Sequence, residues 1–217
     1  MEHDARSGTN TPSAVGIFHR AARRFILLGP VLLALATAGC SGSRTWHNTD
    51  ITGSLPALSF SMVRANDNRN VTAADYRGKV TLLYFGYTYC PDVCPLTLSN
   101  VAKTLRQLGS AASNVRLLFV TVDPHRDTLP VLKQYAAAFS PHVDGLRGDP
   151  NELAALARRY RVAYSADPKG PDGYVVTHSS GIYAFDRSGK ARLLISSLST
   201  ATPDLDGTAA DLRALLN

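Results

Sequence analysis

Residues 88–98 read TYCPDVCPLTL and set two cysteines, Cys90 and Cys94, four positions apart between Pro91 and Pro95. Two thiols so spaced can close as a disulfide, staple a loop or hold a metal. If a helix begins around Pro91, the two lie one turn apart on the same side and their sulfurs can converge on one point. A helix N-terminus supplies partial positive charge and unpaired N–H groups, which favour thiolate over thiol. Redox exchange and metal binding both need thiolate, so this location alone selects neither. A bridge across so short a loop removes little unfolded-chain entropy, so it makes a poor staple.

The spacing leans toward a metal. Redox pairs of the thioredoxin type have two intervening residues, whereas Pro91, Asp92 and Val93 make three here. Structural zinc and iron–sulfur sites want four protein ligands, and the chain's remaining cysteine, Cys40, falls outside the expected domain. Soft thiolates favour Cu(I), which accepts few ligands. Two thiolates and one imidazole would make a reasonable copper site. Four histidines can be weighed for the imidazole: His47 and His142 read as solvated, His125 lies near the site edge, and His178 ends the stretch YVVTH. A lone histidine more often fills an ordinary hydrogen-bonding role, so spacing by itself leaves His178 open.

The elements that must position these residues alternate between strand and helix. KVTLLYF (Lys79 to Phe85) and VRLLFVTV (Val115 to Val122) are apolar runs of strand length, the pattern of strands buried on both faces. Between them Leu98, Val101, Leu105 and Leu108 recur at helical spacing, and Gly109 ends the series. Asp127 precedes a helix through Phe139 with Pro130 in its first turn, and Asp149-Pro150-Asn151-Glu152 is a strong helix start running to about Tyr160. ALSFSMV reads as an early strand, VTAADYRGK as a turn or short helix after Thr72, and GYVVTH and GIYAFD as strands. DRSGK turns into ARLLIS, and Asp206 or Thr208 opens a last helix to Leu216.

Two β-α units, a hairpin and a final helix predict an α/β domain: a central mixed β-sheet flanked by helices, in the thioredoxin-like arrangement. The cysteines then sit past the carboxyl end of a central strand, where open α/β sheets place their sites. In that fold the loop before the strand that follows YVVTH faces the cysteine-bearing helix and commonly holds a cis-proline.

The N-terminus reads as an export signal. HRAARRFILLGPVLLALATAGC has a basic start, an apolar run from Phe25 to Ala38 and small residues up to Cys40. Fourteen apolar residues are short of the ~20 that span a bilayer but suit a signal core. TAGC resembles a bacterial lipobox that would lipidate Cys40, with Thr37 where Leu is usual. Arg23-Arg24 hints at twin-arginine export. Residues 1–40 are thus expected to be the signal, 41–54 a polar tether and 55–217 the folded domain, lipid- or helix-anchored on the extracytoplasmic face of a bacterial membrane. Without the four Arg and two acids of residues 1–39, 19 basic residues face 15 acidic ones, a net +4 against +6 for the whole chain. That excess forms no basic run, which argues against nucleic acid as a partner.

Several stretches, in order, carry a family resemblance: YFGYTYCPDVCP, VTVDPHRDT, FSP, RRYRVAYS and VVTHSSGIYAFDRSGK. Over roughly residues 55–200 the chain resembles the Sco/SenC family of thioredoxin-like copper-binding proteins. The resemblance implies copper, Cu(I) or Cu(II), held by Cys90, Cys94 and His178. It implies a non-enzymatic metallochaperone that takes copper from an upstream donor and helps assemble the CuA centre of cytochrome c oxidase subunit II. Family members often have Asp before that histidine, where this chain has Thr177, so the polar surroundings that tune affinity differ. Asp123, Arg126 and Asp127 match the family's D-P-x-R-D motif, read as structural or partner-facing, with Asp127 also capping its helix. An alternative is a thiol-disulfide reductase in which Cys90 attacks and Cys94 resolves, acting on the acceptor's own cysteines. A thiol peroxidase fits less well, because it needs one activated cysteine where this chain has a proline-flanked pair.

Overall fold

The computed structural model describes residues 45–167 and 175–217. The strands in chain order are β1 (Thr49–Asp50), β2 (Ser61–Arg64), β3 (Arg69–Thr72), β4 (Val80–Gly86), β5 (Val115–Thr121), β6 (Val143–Arg147), β7 (Tyr164–Asp167), β8 (Val175–His178), β9 (Ile182–Phe185) and β10 (Ala191–Ile195). The helices are α1 (Val93–Gln107), α2 (Leu129–Phe139), α3 (Pro150–Arg159) and α4 (Leu205–Leu216). Eight strands form one sheet in the order β1-β10-β9-β4-β5-β6-β2-β3, while β7 and β8 pair only with each other. β4, β5 and β6 run parallel and the remaining pairs are antiparallel. The mixed sheet with flanking helices is the α/β arrangement expected.

The parallel trio dictates the layering. β4 is buried along its whole length and β5 at every residue but Arg116, as continuous apolar runs require. Neighbouring parallel strands need a crossover, and α1 and α2 supply the two crossovers on one face. A Cβ on Gly86 would meet Cys94 of α1, and one on Gly145 would meet Leu132 of α2. On the other face Tyr160, which ends α3, packs its ring on Tyr183 and Phe185. The capping box at α3 forms as its sequence demands: the Asp149 carboxylate accepts from Asn151 and Glu152 N–H, and Glu152 accepts from Asp149 N–H.

Three expectations of the fold change. β6 is a third parallel strand hidden by Asp144 and Gly145, which break its apolar run. Asp144 is nevertheless buried, because it accepts a 3.0 Å bond from the Tyr76 hydroxyl. The hairpin expected through DRSGK forms as β9 and β10, with β9 between β4 and β10 in the main sheet, while GYVVTH supplies β8, which pairs with β7. No cis peptide bond occurs among the described residues.

The domain also begins earlier than Leu55. Residues 45–54 of the expected tether lie on the body: β1 pairs with β10, and the buried Asp211 carboxylate of α4 accepts from His47 N–H, Asn48 N–H and the Asn48 side-chain amide. The polar composition of that stretch hid the docking, which combines these hydrogen bonds with the packing of Trp46 and Ile51 against the core. The expected signal, Cys40 and residues 41–44 lie outside the described residues. Asp211→Ala should leave three donors without their acceptor and cost about 1–3 kcal/mol in urea unfolding. A chain begun at Leu55 should lose a similar amount relative to one begun at Thr45. Equal stability of the two chains would show that the docked segment contributes nothing.

Candidate metal centre

The carboxyl end of β4 opens into the loop that carries Cys90, and that loop is tied down from beneath. Asp127 is fully buried; it accepts from Thr88 N–H (3.0 Å), the Thr88 hydroxyl (2.6 Å) and the Thr121 hydroxyl (2.6 Å). It is therefore not the cap of α2. Thr128 occupies the cap position, and the Asp127 carboxylate turns inward to the cysteine loop. Burial pushes its pKa up despite these donors. Asp123, equally buried, holds the Arg126 guanidinium, which lies 4.9 Å from the Tyr89 ring and 5.8 Å from that of Tyr87.

α1 begins at Val93, two residues later than expected, and Asp92 at its cap position makes no side-chain cap bond. The Cys90 sulfur takes that place, accepting the Cys94 N–H at 3.4 Å. Cys90 is half-buried and Cys94 is 0% exposed. Gly86 makes that burial possible. A Cβ there would come within 2.9 Å of the Cys94 sulfur and 2.5 Å of the Phe119 ring. The helix N-terminus was expected to favour thiolate at both positions, but at Cys94 burial wins and pushes the thiol up to about 12.

His178 ends β8 and arrives over the cysteines from the other half of the chain. Its Nε2 lies 3.2 Å from the Cys94 sulfur, and its Nδ1 lies 3.0 Å from the Ser179 carbonyl. A proton on Nδ1, donated to that carbonyl, leaves the Nε2 lone pair facing the sulfur. Burial lowers the His178 pKa, which keeps the ring neutral, the form that ligates. Tyr84 and Tyr87 meet the ring edge-on at 6.1 and 5.9 Å. A chain of hydroxyls joins the two halves: Thr97 of α1 bonds Ser199, which donates to the carbonyl of Ser180, two residues past His178. Among the described residues, Cys90, Cys94 and His178 bring one ligand atom each within 4.8 Å of one another. Around a single ion, with sulfur at about 2.3 Å and nitrogen at about 2.0–2.1 Å, ligand atoms lie up to ~4.6 Å apart. The trio needs little movement to close on one ion.

The SCO1/SenC family model matches residues 52–216, nearly all of the described domain. The chain belongs to the SCO1/SenC family. Bovine mitochondrial SCO2 homolog is 44% identical over 119 residues, 54% of this chain and 45% of the relative. The chain thus spans about half the length of the curated relatives it matches. The copper-bound structure of Bradyrhizobium japonicum ScoI superposes with a TM-score of 0.65 at 37% identity, covering 73% of this chain and 98% of that one. Apo Sco1 from Thermus thermophilus gives 0.68 at 32%, covering 80% and 99%.

In this SCO1/SenC chain the other histidines stand apart from the trio. His125 and His47 are exposed, and His47 lies near Asp204 on the docked N-terminal segment. Thr177, at the family's frequent Asp position, is exposed and bonded to the Ser165 hydroxyl at 2.8 Å. Asp127, Tyr84 and Ser199 were not read as site residues. The threonines around Asp127 carried no spacing signal, since they meet it only once β4 and β5 are paired.

Asp127→Ala should cost about 3 kcal/mol by stranding three donors. Asp127→Asn should cost less, because it removes a buried charge. The raised carboxyl pKa means that folding favours the protonated form, so this contribution is present below the unfolded carboxylate range, about pH 4, and lost as pH rises. The Asn variant should therefore gain on the wild type as pH rises through that range, which acid-to-neutral urea series would check. Separately, alkylation at mildly alkaline pH should label Cys90 well before Cys94, as mass spectrometry of partly reacted protein would show.

Proposed function

We propose that the chain is a copper metallochaperone tethered at the extracytoplasmic face of a bacterial membrane, lipidated at Cys40, that helps assemble the CuA centre of cytochrome c oxidase subunit II. The observation that carries this reading is the convergence of Cys90, Cys94 and His178, with all three ligand atoms within 4.8 Å. The donor set is two soft thiolates and an imidazole, too few for a structural zinc site and suited to Cu(I). Cys90 and His178 line an open cleft with Tyr87, Pro91, Val93, Val176 and Ser180, and Cys94 lies buried behind them. An acceptor can approach there and draw copper off by ligand exchange. Cys94 gives up its proton when copper binds, so loading at neutral pH releases protons and tightens as pH rises. The upstream donor would reach the same cleft.

One observation favours thiol-disulfide exchange as a second reading: Cys90 is accessible and Cys94 lies buried behind it. A Cys90 thiolate would attack a target disulfide, releasing one target thiolate. Cys94 would then attack the Cys90 sulfur and release the second, leaving the pair oxidised and the target reduced. His178 has no part in that sequence.

Copper binding by the full chain, reduced anaerobically, separates the two. The chaperone reading expects one copper per chain, bound at least tenfold more weakly by His178→Ala and not at all by the Cys90→Ser/Cys94→Ser pair. No copper bound by the wild type, with disulfide exchange unaffected by His178→Ala, would sink it in favour of the reductase.

A further inference from the structure

The wall around Cys94 contains a polar group with nothing to bond. Tyr84 is fully buried in β4, on the same face as Gly86, and so points toward the Cys94 side of the sheet. Its hydroxyl is shielded from water and has no hydrogen-bond partner. Buried tyrosine hydroxyls ordinarily find one. Its polar neighbours are the Cys94 sulfur and Thr97, and burial above all, with the sulfur's field behind it, raises the phenol pKa, so it stays an O–H donor. Thr97 is already engaged with the Val93 carbonyl at 2.7 Å and with Ser199 at 3.1 Å. The sulfur is the neighbour whose accepting power changes. As a thiol 3.2 Å from His178 Nε2 it is a weak acceptor, and in a disulfide it stays neutral. As a metal-bound thiolate it carries charge and accepts strongly.

We propose that Tyr84 is a positioning residue for the loaded state, donating a hydrogen bond to the Cys94 sulfur once that sulfur is a metal-bound thiolate. With the neutral sulfur of the free thiol or the disulfide the contact is weak, so Tyr84 biases the pair toward holding a cation over oxidising. Nothing need move far: the donor is already in the wall, held between Phe119 (ring centroids 6.0 Å apart) and the edge of His178. This inference rests on the copper reading above.

The test compares Tyr84→Phe and Tyr135→Phe in the full chain. Tyr135 is a second phenol near Cys94 with a buried, unpartnered hydroxyl, and serves as the comparison for removing such a group. Three results are expected of Tyr84→Phe. Cu(I) affinity falls roughly tenfold, the scale of one charge-assisted bond. The sulfur-to-Cu(II) charge-transfer band moves to longer wavelength, since an unbonded thiolate is a better electron donor. The melting temperature of the copper-free protein stays level or rises, because an unsatisfied buried hydroxyl has been removed. Tyr135→Phe should leave affinity and band in place.

Unchanged affinity and band in Tyr84→Phe, with the wild type still binding copper, would overturn this inference alone. Equal shifts in both variants, or a copper-free Tyr84→Phe that melts lower, would also overturn it. A wild type that binds no copper would remove the underlying reading along with it.

Discussion

The centre depends on keeping one sulfur dry. Cys94 sits with no exposed surface between the end of β4, the Phe119 ring and the first turn of α1. That exclusion of water sets the rest of its chemistry. It outweighs the pull of the helix N-terminus and keeps the proton on the sulfur. It places an imidazole against the sulfur where solvent would otherwise lie, and it keeps that imidazole neutral. It also explains the absence of a side chain at Gly86, which stands where a methyl would collide with the sulfur. Cys90 contrasts with it, half in solvent and spending its sulfur on a backbone N–H. The two thiols share a motif and have different physical characters.

A dry site assembled from distant segments needs rigid joints. The cysteine loop is fixed from below by Asp127, forty residues downstream of the loop's start at Tyr87. The histidine belongs to the small β7–β8 ladder outside the main sheet, so its placement rests on the hydroxyl chain through Thr97 and Ser199 and on the flanking tyrosine rings. A ligand on a separate ladder can shift slightly without disturbing the sheet that holds the thiols. That would suit the proposed chaperone, which closes on copper and then lets it go.

Much of this was legible in the sequence, for definite reasons. β4 and β5 announce themselves because burial on both faces leaves an unbroken apolar run, and α3 because its capping box is a local hydrogen-bond pattern. The cysteine pair was legible because its spacing is itself the chemistry. His178 could not be chosen over three other histidines from spacing, since its partnership with Cys94 spans 84 residues of folded chain, and family resemblance singled it out. β6 stayed hidden behind a buried aspartate that a distant tyrosine and arginine satisfy. Asp127 looked like a cap because aspartate before a helix usually is one. Its inward turn depends on threonines that meet it only in the assembled sheet.

The docking of residues 45–54 has a mechanical consequence. With Thr49 and Asp50 already in the sheet beside β10 and His47 and Asn48 held by Asp211, the leash between Cys40 and the rigid body is only the five steps to Thr45. Even fully extended, that leash measures about 17 Å. With Cys40 lipidated as proposed, a domain on so short a lead cannot sweep a wide radius in search of partners. Under that proposal it keeps to a shell little thicker than itself, and a partner would bring its own site into that layer.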